Sequence, residues 1–290
     1  MSADRLLDDQ GRVNIVSYGG GVQSTALLVL AATGHIDART FVFSNVGDDS
    51  EHPDTLTYVR DVAFDYAAMH GIDIHEIHRR PTKGRFAGQN VTLMEQLMVN
   101  ESRSIPIPVR MSNGAPGTRS CTVDFKIRTV AKWLKDRGAT KVNPARVAIG
   151  ISTDEYERAT SGKRVDHEVA EYPLLTLEHR LAPYGANRDQ CKAIIADAGL
   201  PIPPKSSCYF CPFHRPTHWA DMARTEPDLF AKSVALEAVL NERRDKLGKD
   251  HVFFTRFGRP LDEVFRNTQL ALLDDWKEDE GYRCGDRCDT

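Results

Sequence analysis

Three consecutive glycines, Gly19-Gly20-Gly21, stand between an apolar run, Val13 to Ser17, and the segment Val22-Gln23-Ser24-Thr25-Ala26. Glycines let a backbone turn sharply and approach a ligand with no Cβ in the way. A helix starting at Val22 would aim free N–H groups and its positive dipole end at this turn, which makes it an anion site. The second chemical group is Cys208-Tyr209-Phe210-Cys211, followed at once by Pro212. Two intervening residues let both sulfurs reach one metal, and the proline stiffens the loop. One such pair is half a site, because Zn²⁺ or an iron–sulfur cluster takes about four ligands. Cys121 and Cys191 lie upstream of it, Cys284 and Cys288 downstream.

Other residues carry charge to places where it could act. Asp48, with Asp49 behind it, follows the apolar run Thr40 to Val46 and suits Mg²⁺, a ribose or a helix cap. Lys126, one turn beyond Cys121, is placed to meet a phosphate or a cluster's negative charge, or simply solvent. Arg79, Arg80, Lys83 and Arg85 could meet phosphate or sulfate, or form a solvated basic loop. Cys284 lies near Arg283 and Arg287, and cations lower a thiol's pKa and raise its thiolate fraction, as a nucleophile needs. The plainer reading of Cys284 is an incidental thiol in a frayed terminus. No histidine is assigned to a metal.

The elements that must position these residues alternate. Val13 to Ser17 reads as a strand and Val22 to Ala32 as a helix closed near Gly34. Thr40 to Val46 is a second strand. From Leu56 the apolar residues Leu56, Val59, Ala63, Tyr66 and Ala67 recur at helical spacing until Gly71. Ile72 to His78 alternates like a strand. This βαβαβ order predicts a parallel sheet, with ligands beyond the carboxyl ends of its strands. Residues 79–120 interrupt it with Arg, Pro and Gly and one short helical piece, Val91 to Met98; so long a connection suits a lid, a binding loop or a mobile segment. A helix opens at Ser120-Cys121-Thr122 and closes at Gly138. Arg146 to Ser152 is a fourth strand, and Asn187 to Ala198 a further helix. Beyond about Pro216 the chain is polar and mostly helical.

Composition narrows the class. The 41% hydrophobic fraction is ample for a core, and the net charge of −3 gives no global case for nucleic-acid binding. No apolar run reaches the ~18 residues of a membrane span, and the polar N-terminus is unlike a signal peptide. The expected compartment is the cytoplasm, where six cysteines are ligands or catalysts more often than disulfides.

The Walker pattern is absent because no lysine follows the glycines, and the G-x-G-x-x-G spacing fails after Gly21. Gly19-Gly20-Gly21-Val22-Gln23-Ser24 instead resembles the S-G-G-x-D-S loop of the PP-loop ATP pyrophosphatases and phosphoadenylylsulfate reductases. Gly19 replaces the first serine and Gln23 the aspartate; with Ser17-Tyr18 in front, the glutamine form is closer to the reductase branch. Cys121-Thr122-Val123-Asp124-Phe125-Lys126-Ile127 is similar to the C-C-x-x-R-K-V segment of adenylylsulfate reductases, with Ser120 where one cysteine would stand. Pro173-Leu174-Leu175 and Gly199-Leu200-Pro201 are similar to their P-L-L … L-P stretch, and Cys208-x-x-Cys211 falls where their second cysteine pair lies. Gly150 and Arg158 resemble the G-[LI]-R … R segment, with Ser152 in place of its first arginine. Asp48 stands where D-T-G would be, and Arg283-Cys284-Gly285 keeps the Cys-Gly of the E-C-G-[LI]-H tail.

The resemblance implies an α/β fold, a Rossmann-like PP-loop domain over residues 12–215; the rest of the chain, 216–290, reads as a mostly helical extension. It implies an adenine nucleotide bound by Ser17, Gly19, Gly20, Gly21, Gln23, Ser24, Asp48, Lys126, Gly150 and Arg158, with Mg²⁺ as a further candidate. Cys121, Cys208 and Cys211 match ligands of a [4Fe–4S] cluster, with Cys191 as the candidate fourth; Zn²⁺, or no metal at all, stays open. In the leading reading the Cys284 thiolate attacks the nucleotide's sulfur and a thioredoxin-like thiol reductant completes the turnover. The runner-up is an ATP-cleaving sulfurtransferase acting on nucleic acid, similar to DNA phosphorothioation proteins. The third is a nucleotide sensor without catalysis. A homo-oligomer is compatible with each, and no membrane partner is expected.

Overall fold

The computed structural model describes residues 6–8, 11–100, 102–153, 170–171, 174–176 and 186–265. Its centre is a parallel sheet of β1 Asn14–Ser17, β2 Thr40–Asn45, β3 Asp73–His78, β4 Ala145–Ile151, β5 Ala170–Glu171 and β6 Leu174–Thr176. The strand order is β3-β2-β1-β4, and both β5 and β6 pair with β4. Strand β1 runs parallel to β2 at Val16↔Phe41 and to β4 from Asn14↔Arg146 to Ser17↔Ile149. Every residue of β2 is buried, as a central strand covered on both faces requires. The chain steps from β1 to β2 on one side and returns at β4 on the other. The carboxyl ends of β1 and β4 therefore flank the crevice where such sheets bind ligands.

Helices cover both faces. Helix α1 Val22–Ala32, then α2 Pro53–Thr57, a π-helical turn Tyr58–Ala63 and α3 Phe64–Met69 pack on one side with α6 Arg188–Asp197. Helix α5 Arg128–Lys135, entered through a second π-helical turn Thr122–Ile127, packs on the other. The pleat sorts β1 between them: Val16 joins the α1 core, Ile15 the α5 core. The expected α/β architecture is thus observed.

A further core lies beyond the sheet. It joins Leu93 and Leu97 of α4 Leu93–Leu97, Ile107 and Val109 of the irregular connection, and Tyr209 and Phe210 between the two cysteines. Against them pack α7 Pro216–Thr225, α8 Pro227–Lys246 and α9 Leu261–Phe265 through Trp219, Leu240 and Leu261, with Phe254 from the segment between α8 and α9. The backbones of Arg110 and Phe253 exchange hydrogen bonds of 2.7 and 2.9 Å. The helical C-terminal part is therefore built on residues 91–125 and 209–210, and a boundary at 215 passes through one core. Within it the buried Glu237 carboxylate accepts the Phe254 and Leu261 N–H groups at 2.6 and 2.7 Å. Among the described residues no helix is long and apolar enough to cross a membrane.

Candidate functional site

The glycine turn is held from three directions. Gly20 has φ +74°, a conformation that favours glycine, and a Cβ there would stand 2.9 Å from Val59 Cγ2. Gly21 is the N-cap of α1; no side chain caps the helix and its first turn carries no acid. The first intrahelical bond, Thr25 N–H to Gly21 O, spans 3.0 Å, and the Ser24 hydroxyl donates to the same carbonyl at 3.1 Å. The preceding N–H groups of α1 thus have no side-chain acceptor supplied by the cap, the condition for holding an anion.

Gln23 and Gly150 meet each other. A Cβ on Gly150 would lie 3.1–3.2 Å from Gln23 backbone and Cβ atoms. The buried Gln23 amide donates to Ser152 Oγ at 3.4 Å. These residues lock the start of α1 onto the exit of β4. Gly150 is there because two backbones approach closely, and Gln23 because an uncharged amide suits a buried site facing a hydroxyl. Tyr18, which follows β1, is buried and shares a 3.1 Å hydrogen bond with Thr25; burial pushes its phenol well above the usual range.

The segment before the cysteine pair closes the turn. The Ser206 hydroxyl donates to Gly19 O, and Gly21 leaves only van der Waals room against the Ser206 Cβ. Next, Glu51 and Cys208 form an antiparallel bridge, with His52 N–H donating to Ser207 O at 3.1 Å and Tyr209 N–H to Ser50 O at 3.2 Å. The exit of β2 is thus stitched to the cysteine segment. Burial pushes the Glu51 carboxyl up, while Lys126 pulls it down. Glu51, Ser206 and Ser207 belong to no motif in the chain, and Ser152 stands out there only as a replacement for an arginine. The one available signal was two serines directly before Cys208.

Two of the four candidate thiols pack against one core, and a third follows in the adjoining turn. Cys121 opens the α5 helical segment and, like Cys208, packs against the C-terminal core; Cys211 follows in a turn, its N–H donating to Cys208 O at 3.2 Å. Burial pushes the Cys121 thiol up, and Arg119 and Lys126 oppose it. Cys191 lies apart, fully buried in the α1 core on the same stripe of α6 as Ile195. Nearness in sequence suggested it as fourth ligand; its helix turns it into the core instead. Zn–S bonds of about 2.3 Å would draw sulfurs to about 3.8 Å from each other. Among the described residues the one group of three or more ligand atoms within 4.8 Å is His52, Asp54 and Glu226. Both nitrogens of His52 are already engaged there: Nδ1 accepts the Asp54 N–H at 3.3 Å, and Nε2 lies 3.0 Å from Glu226. That group is a helix cap whose histidine donates its other ring N–H to a carboxylate.

Asp48 is engaged at the β2–β3 side of the sheet. Both its oxygens take Arg60, at 2.8 and 2.9 Å, and Asn45 donates to Asp48 at 2.7 Å and to Glu76 at 2.7 Å. The hydrogen bonds from Arg60 hold the Asp48 carboxyl below its usual range. Ser17 ends β1 beside Ile149, at the mouth of the glycine turn. Arg158 and Cys284 lie outside the described residues. Comparison with protein-family models, with curated proteins and with solved structures finds no match.

Proposed function

We propose that this chain is an adenine-nucleotide enzyme of the phosphoadenylylsulfate or adenylylsulfate reductase type. One observation carries the reading: an uncapped helix start behind three glycines, at the β1–β4 crevice, closed by the segment that bears the cysteine pair. The phosphate end of the nucleotide sits on the α1 N-terminus. A thiolate attacks the sulfur of the sulfate group, forming an S–S bond as the S–O bond to the nucleotide breaks. Negative charge grows on the departing phosphate, and the helix start stabilises it there. A second thiol, from a dithiol reductant, then cleaves the S–S bond and releases sulfite, leaving a disulfide. Cys284 has the nucleophile's role on sequence resemblance alone.

Cys121, Cys208 and Cys211 supply three thiolates where a four-cysteine cluster needs four, and Cys191 is in another core. The described residues do not complete that ligand set, and no step is routed through a metal. Asp48, taken up by Arg60 and Asn45, offers no support for Mg²⁺. A second reading, ATP-driven sulfur transfer to nucleic acid, is favoured by the cationic surface described below.

The test is sulfite release from phosphoadenylylsulfate and from adenylylsulfate under anaerobic conditions with a dithiol reductant. Release from either, abolished by Cys284→Ser, is the expected result. No release from both would refute the reductase reading, and pyrophosphate release from ATP dependent on added nucleic acid would replace it with the second. Tight nucleotide binding without either turnover would leave a sensor.

A further inference from the structure

The chain is acidic overall, yet residues 79–120 contain seven Lys and Arg against two acids. The structure brings part of that excess onto aromatic rings. The guanidinium carbons of Arg110 and Arg119 stand 5.8 and 5.3 Å from the centre of the same half-buried ring, Phe213. Arg110 is also bridged by its backbone to Phe253, four residues before Phe257, whose ring lies 5.8 Å from the exposed Arg256. Lys205 acts electrostatically on His214, the neighbour of Phe213. Arg119 and Lys205 have no carboxylate within 4.0 Å among the described residues.

We infer that this strip is a binding surface for single-stranded nucleic acid. Guanidinium groups held against rings offer phosphate-binding N–H groups and flat faces on which unpaired bases stack. An acidic peptide would use the charge but has no use for the aromatic faces. Arg119 precedes Cys121 by two residues and Phe213 follows Cys211 by two, so the strip adjoins both cysteine-bearing segments in the chain. The inference stands whether or not the reductase reading does, since it concerns a partner held by Arg119, Arg110 and Phe213 and not by the glycine turn.

The experiment is fluorescence anisotropy of the full chain with labelled single strands of DNA and RNA of about 20 nucleotides, over a salt series. Saturable micromolar binding at about 0.1 M salt, tighter than to a duplex of the same sequence, is expected. The Arg119→Glu, Lys205→Glu double variant should bind at least about tenfold more weakly, with a shallower salt dependence. Phe213→Leu should weaken binding and leave the salt dependence unchanged. Circular dichroism and melting of both variants control for folding. Three results would each overturn the inference: no saturable binding, binding indifferent to the double charge reversal, or displacement by polyglutamate as effective as by unlabelled strand. The last would reassign the strip to an acidic protein.

Discussion

Gly20 and Gly150 do different work although both are glycines in the same site. Gly20 needs its left-handed backbone and has Val59 against its missing Cβ; Gly150 needs only closeness to Gln23. Gly20→Ala should therefore cost on the order of 2 kcal/mol of stability, combining the backbone penalty with the clash, as chemical denaturation would show. Gly150→Ala should shift the α1 start and weaken nucleotide binding more than it lowers stability. Cys191 provides the complementary case. Cys191→Ser buries a hydroxyl in the α1 core and should cost about 1–3 kcal/mol while leaving any iron or zinc content of anaerobically purified protein unchanged. Metal lost in Cys191→Ser would return Cys191 to the ligand set. The glycine turn and the cysteine pair could be read from the chain because each is a contiguous pattern. Ser152, Ser206 and Glu51 could not, since their roles arise from contacts between segments more than a hundred residues apart in the chain.

At the scale of elements, α8 anchors the C-terminal part through one buried acid. Burial raises the Glu237 carboxyl to about 7, against the pull of the two N–H groups it accepts. A carboxyl at about 4.5 in the unfolded chain thus binds its proton more tightly when folded. Its contribution is fully present below the unfolded value and is lost as pH rises towards about 7, a change on the order of 3 kcal/mol. Glu237→Gln should flatten that part of the stability–pH curve, at the cost of one accepted N–H, in urea melts between pH 4 and 8. An unchanged slope would mean that Glu237 titrates alike in both states. The strands and their flanking helices were legible because period 2 and period 3.6 recur over whole segments. The connection 79–120 was not, because its order comes from Ile107, Val109 and the Arg110–Phe253 bridge, none of which leaves a periodic trace.

The whole molecule places its chemistry where two cores meet. The parallel sheet aims α1 at the β1–β4 crevice, and the Glu51–Cys208 bridge ties the exit of β2 to the segment that packs on the C-terminal core. Asp48 lies at the β2–β3 side, where its carboxylate pairs with Arg60 and accepts from Asn45, which also donates to Glu76. Asp48→Ala should change nucleotide affinity less than twofold and stability by no more than about 1 kcal/mol, as for an exposed ion pair.

In the proposed function the α1 start binds the phosphate end of an adenine nucleotide. The most direct measurement of that binding is isothermal titration of the protein with adenosine 5′-monophosphate and with adenosine. The phosphate should strengthen binding about 100-fold, the worth of two charge-assisted N–H contacts, and Gly150→Ala should reduce that ratio. Equal affinity for the two ligands, or a ratio indifferent to Gly150→Ala, would contradict the account.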